Sequence, residues 1–144
     1  MKEIYLGVDF GDARTGLAIS SGTLAVGAGC IQSKNLRKTA EETARRAVEL
    51  RVSCIVIGKP LNMDGTEGPR CERVRAFARI VGEECGIPVE LYDERLTTVS
   101  AHHYLSDTGV SGKKRKSSVD ELSATLILQD YIDRKQNRAA RDQE

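Results

Sequence analysis

A chain of 144 residues is the size of one typical domain and can bury one sizeable core. Its composition is 40% hydrophobic and 30% charged with a net charge of +1, which excludes nucleic-acid binding by overall basicity, so any basic footprint must be local. No window approaches about 18 apolar residues, so no membrane-spanning helix is expected, and the N-terminal "MKEIYLGVDF" reads as the first strand of a cytoplasmic protein rather than a secretion signal.

The alternation Ile4, Leu6, Val8 and Phe10 predicts a strand over residues 3–10. Strands over 14–20 and 24–31 follow, with Ser21-Gly22-Thr23 as the hairpin turn between them. Leu36, Ala40, Ala44, Ala47 and Val48 fall at helical spacing and predict an amphipathic helix over 36–50. The apolar run "SCIVIG", 53–58, fits a strand buried on both faces of a parallel sheet. A Gly-, Pro-, Asn- and Asp-rich loop occupies 59–69. Val74, Phe77, Ala78, Val81 and Cys85 form the stripe of a second helix over 70–85, ended by Gly86 with Pro88 beyond. A strand over 87–93, a short helix over 97–107 and a flexible basic loop over 109–118 come next. Ser118 and Glu121 form a capping box that opens a last helix near 119–134. The order predicts an α/β fold with a mixed sheet, in a single domain over 1–136 with a frayed polar tail over 137–144. The four cysteines contain no C-x2-C pair, so they read as reduced, mostly buried thiols and not as a zinc site.

Asp9 stands inside the first apolar strand, where a carboxylate is costly unless something neutralises it. Glu94 stands at the carboxyl end of another strand, where ligands collect in open α/β sheets. Asp120 precedes Ala124, Ile127, Leu128 and Tyr131 at helical spacing and so lies on the apolar stripe of its own helix. Two of the acids have a plainer reading: Glu94 as a partner of Arg95, and Asp120 as a first-turn acid favoured by the helix dipole. Together, three carboxylates from separate segments point to a hard-cation site for Mg2+ or Mn2+. Two such ions about 4 Å apart could activate water and stabilise the leaving oxygen of a phosphodiester. Asp93 points to the opposite face from Glu94 in a regular strand.

The run Lys113, Lys114, Arg115 and Lys116 lies just before Asp120 and suits phosphate neutralisation, although such a run is also compatible with a solvated loop. Aromatic residues make up only 4% of the chain, so stacking platforms for bases are few. His102 and His103 are proton-shuttle candidates by residue type and otherwise read as surface residues. "DFG" with Gly16 downstream also resembles the phosphate hairpin of actin-like ATPases, but the chain is short for their two lobes and has no P-loop.

Four stretches in order, "GVDFGDARTGLAIS", "VIGKPLNMDGTEG", "LYDERLTT" and "KKRKSSVDELSATLIL", resemble the motifs of the YqgF/RuvX family over about residues 3–133. That family includes bacterial proteins described as pre-16S rRNA nucleases and as similar to Holliday-junction resolvases. The resemblance implies an RNase H-like fold, a five-stranded mixed sheet flanked by helices. It implies that Asp9, Glu94 and Asp120 are the catalytic and metal-holding acids, Glu94 matching the acid that closes the fold's fourth strand. It implies nucleic-acid contacts at Lys59, Arg95 and the Lys113, Lys114, Arg115 and Lys116 run, and at the hairpin residue Arg14. The expected activity is hydrolysis of structured RNA in 5′ maturation of pre-16S rRNA with two Mg2+ or Mn2+ ions, Asp9 bridging both. Ribosome-assembly intermediates are expected as further partners, and the protein as a monomer or weak homodimer. The alternatives are a resolvase of branched DNA and a non-catalytic nucleic-acid-binding module.

Overall fold

The computed structural model describes residues 3–96 and 113–142. Five strands, β1 (Tyr5–Asp9), β2 (Arg14–Ser20), β3 (Val26–Gln32), β4 (Cys54–Lys59) and β5 (Val89–Asp93), form one sheet in the order β3-β2-β1-β4-β5. The first three strands pair antiparallel, while β1–β4 and β4–β5 pair parallel, so the sheet is mixed as expected. Helices α1 (Leu36–Glu49) and α2 (Pro69–Cys85) cover one face, and α3 (Lys113–Asp142) covers the other. No described helix is long and apolar enough to cross a membrane.

Strand parity divides the core. Leu6, Val8 and Phe10 join Ile55, Ile57, Val74 and Phe77 on the α1/α2 face. Tyr5, Ala18 and Val56 join Ala124, Ile127, Leu128 and Tyr131 on the α3 face. Phe10 stacks on Phe77 at a centroid distance of 4.4 Å, which seats α2 against the end of β1. The small residues on the α3 face allow the helix to lie close. A Cβ at Gly7 would stand 2.7 Å from Cβ of Leu128 and 3.1 Å from the carbonyl oxygen of Ala124.

Helix α1 is capped by Asn35, whose Oδ1 accepts from Lys38 N at 2.9 Å. Its buried stripe is Thr39, Ala40, Thr43, Ala44 and Ala47; Val48, counted on the stripe from sequence, is exposed. Position 48 lies about 100° beyond Ala47 around the helix, past the edge of the contact. Helix α2 ends as expected, with Gly86 left-handed at φ 70° and its N–H donating to the Gly82 carbonyl at 2.8 Å.

Helix α3 departs from expectation at its start. It begins at Lys113, so the basic residues are its first turn and not part of a loop. Lysine and arginine are good helix formers, and nothing between Gly112 and Ser118 breaks a helix. The Ser118–Glu121 box therefore lies inside the helix. The backbone stays helical through Asp142, across the stretch read as a polar tail. The four cysteines are free, but only Cys71 is buried; Cys30, Cys54 and Cys85 are half-buried. The predicted 97–107 helix, His102 and His103, and the 109–112 part of the predicted loop lie outside the described residues.

Candidate active site

Asp9 is the last residue of β1 and is 6% exposed. It shares strand parity with Tyr5 and Gly7, so it faces α3. Its neighbours across the sheet are glycines on both sides. In β2 its partner is Gly16. The parallel register that pairs Val8 with Ile57 continues to bring Asp9 alongside Gly58 of β4. Neighbouring strands are about 4.8 Å apart, so these two glycines flank the carboxylate closely.

Each glycine is the floor beneath another of the acids. A Cβ at Gly16 would stand 1.9 Å from the carbonyl oxygen of Asp120, so α3 rests its Asp120 backbone directly on β2. A Cβ at Gly58 would stand 2.7 Å from Glu94 Oε1 and 2.7 Å from Cδ1 of Ile127. Glu94 opens a single 3-10 turn, Glu94–Leu96, after the edge strand β5. It thus stands at the carboxyl end of that strand, where the sequence placed it, and its carboxylate reaches back over the end of β4. The three acids come from a strand end, a turn and a helix, and Glu94 and Asp120 stand over the two glycines that flank Asp9. One oxygen of the Asp120 carboxylate, Oδ2, is buried.

All three side chains offer hard oxygen, the donor type that Mg2+ and Mn2+ take, so they fit such an ion in kind. Among the described residues, however, no three His, Cys, Asp or Glu side chains form a ready-made metal cluster.

The expected phosphate-binding residues divide. Arg14 begins β2 with the parity of Gly16, on the acid face. Lys59 alternates with Gly58 and so sits on the opposite face, beside Asp93, where its charge helps to hold Asp93 and Glu67 in the ionised form. Arg95 is occupied by structure. Its Nη2 donates to Asp93 Oδ2 at 2.9 Å, and its Nη1 donates to the carbonyl of Met63 at 3.1 Å. These bonds hold the Asp93 carboxyl below the usual carboxylate range. Lys113, Lys114, Arg115 and Lys116 enter the fold as the first four residues of α3, about one to two turns before Asp120.

Sequence reading missed Arg73 and Cys30. Arg73 Nε donates to Asp12 Oδ1 at 3.0 Å and ties α2 to the turn that follows β1. Cys30 pairs across β3–β2 with Gly16, and burial, followed by the negative charge of Asp120, pushes its thiol pKa up. Neither residue carries a sequence pattern that marks it; the register places Gly7, Gly16 and Gly58 on the face that α3 covers.

Comparison with known proteins agrees with this geometry. The family model described as "RuvX: Holliday junction resolvase" matches residues 3–134. A relative from Ruminiclostridium cellulolyticum named "Putative pre-16S rRNA nuclease" is 45% identical over 132 residues, covering 90% of this chain and 93% of its own. One of the same name from Heliobacterium modesticaldum is 42% identical over 140 residues, covering 96% and 94%. Among solved structures, T. thermophilus RuvC in complex with a Holliday junction substrate superposes with a TM-score of 0.55 at 14% identity, covering 87% of this chain and 91% of that one. The Fowlpox virus resolvase bound to its substrate Holliday junction DNA gives 0.51 at 13% identity, covering 90% and 97%. These structures share the RNase H-like fold. The match over nearly the whole chain, with the motif acids gathered around Asp9, shows that the protein belongs to the RuvX family.

Proposed function

We propose that the protein is a divalent-cation-dependent endonuclease that hydrolyses phosphodiester bonds in structured RNA, acting in 5′ processing of pre-16S rRNA. The observation that carries this reading is the buried Asp9 between two glycine floors, one beneath Glu94 and the other beneath the Asp120 backbone. The names of the relatives support the RNA substrate.

Asp9, Glu94 and Asp120 would hold Mg2+ or Mn2+, two ions in the expected form. When bound, such ions polarise the scissile phosphate and make water a better nucleophile. The chain's own contribution is placement. The glycine floors fix where Glu94 and Asp120 stand relative to Asp9, and α3 excludes water from the floor of the site. Arg14 on the acid face and the Lys113, Lys114, Arg115 and Lys116 turn offset the repulsion between these acids and a phosphate backbone. Four free thiols suit a reducing cytoplasm, where ribosome-assembly intermediates would be met.

The description of the matching family favours a second reading, a resolvase of four-way DNA junctions. Resolution needs paired cuts and hence a symmetric dimer, whereas RNA trimming can be done by a monomer. The deciding assay offers a labelled pre-16S 5′ leader RNA and a four-way DNA junction in parallel, with Mg2+ or Mn2+ and with EDTA. Metal-dependent cutting of the RNA alone supports the proposal. Symmetric nicking of the junction alone overturns it in favour of the resolvase. Binding of either without cutting would leave a nucleic-acid-binding module.

A further inference from the structure

The loop between β4 and α2 is a small, tightly braced hairpin. Leu61 and Glu67 form an isolated antiparallel bridge. Asn62 N donates to the Thr66 carbonyl at 2.9 Å, and Gly65 N donates to the Asn62 carbonyl at 2.8 Å. Gly65 has φ 90°, the left-handed residue that closes such three-residue loops. The polar side chains of the loop are exposed but tied by hydrogen bonds. Asn62 Nδ2 donates to Thr66 Oγ1 at 2.9 Å, and Thr66 Oγ1 donates to Asp64 Oδ1 at 2.6 Å. Glu67 is gripped by Arg75 through two bonds of 2.6 Å, which hold its pKa down to about 2.

The remaining side chain, Met63, is 93% exposed, the most exposed large apolar group among the described residues. Its backbone is fixed all the same. The Arg95 fork that takes its carbonyl at 3.1 Å also grips Asp93, the residue next to Glu94. The hairpin therefore rises from the end of the sheet where Glu94 lies over Gly58, braced to the same turn that carries Glu94.

A single exposed methionine is ordinary on a surface. A braced hairpin that presents one at the rim of a site for nucleic acid is a different matter. We propose that Met63 is a wedge that enters a base step of the substrate beside the cleaved phosphate and holds a base out of its stack, an inference that rests on the nuclease reading above. Methionine is among the apolar side chains that part base steps in this way. The surroundings decide against a protein partner. Met63 stands among the exposed polar residues Asn62, Asp64, Thr66 and Glu67, so it is not part of a large contiguous apolar patch of the kind that marks a protein interface. One unbranched side chain is the size of a base step.

The test uses an RNA stem with a 5′ single-stranded extension, with 2-aminopurine placed in turn at each position across the stem boundary. It is bound by the Asp9→Asn protein in Mg2+. The expected result is a several-fold fluorescence rise at one position. Adding Met63→Ala should abolish the rise while Kd changes by less than about threefold. Met63→Leu, similar in volume, should restore it. RNA that binds without a rise at any position, or with a rise that survives Met63→Ala, overturns the wedge and leaves the nuclease reading standing. RNA that the Asp9→Asn protein does not bind overturns both.

Discussion

Replacing Gly16 by alanine tests how the fold sets Asp120. The added Cβ would stand 1.9 Å from the Asp120 carbonyl oxygen, 2.3 Å from its carbon and 3.0 Å from Glu121 N. All three are backbone atoms of a helix, so no side chain can swing aside. Restoring even a tight contact of about 3 Å requires the start of α3 and β2 to separate by about 1 Å. Overpacking of this kind costs about 1–3 kcal/mol. At about 3–4 °C per kcal/mol for a chain of this size, Tm should fall by roughly 3–12 °C. A displacement of about 1 Å in a positioned group can cost about a hundredfold in rate. Cleavage by Gly16→Ala should therefore drop by about two orders of magnitude at a temperature where circular dichroism shows the protein folded. Gly22→Ala serves as control, because a Cβ there meets nothing within 4 Å; it should leave both readouts unchanged. A Gly16→Ala protein with wild-type Tm and wild-type cleavage would refute the claim that the contact of α3 with Gly16 sets the site.

Phe77 is fully buried and stacks on Phe10, so Phe77→Ala should destabilise by about 3–5 kcal/mol and lower Tm by about 10 °C or more, as read by thermal melting. The Asp93–Arg95 bonds lower the Asp93 pKa in the folded chain, so their stabilisation is present above the unfolded carboxylate pKa, near about pH 4, and is lost as pH falls through the folded value. Asp93→Asn should accordingly lower Tm at pH 7 and change it little near pH 2; an equal drop at both would contradict the pairing.

Much of this fold is legible because burial leaves strong periodic signals. The run "SCIVIG" fits a strand covered on both faces, and β4 lies between β1 and β5 with helices on either side. The stripe from Asp120 through Tyr131 placed that acid on the sheet side of α3 before any coordinates. Other features are set by tertiary contact and leave weaker traces. The start of α3 was misplaced because a basic run beside glycine and serine reads as a loop, although lysine and arginine propagate a helix well. The nucleic-acid contact at Arg95 is implied by the family resemblance; its ties to Asp93 and to the distant Met63 carbonyl depend on a loop packing that spacing does not encode. Gly16 reads as a strand residue and Gly58 as a strand end. Their role as floors appears only when strand parity and register are combined with the path of α3.

On the proposed function, Asp9 is buried for chemistry and not for stability. The most direct test is Asp9→Asn, with cleavage and binding of the leader RNA measured side by side in Mg2+. The account predicts a fold that is kept, binding that is equal or tighter because a negative charge near phosphates is removed, and cleavage reduced by about a thousandfold or more. Cleavage at the wild-type rate by the folded variant would contradict it.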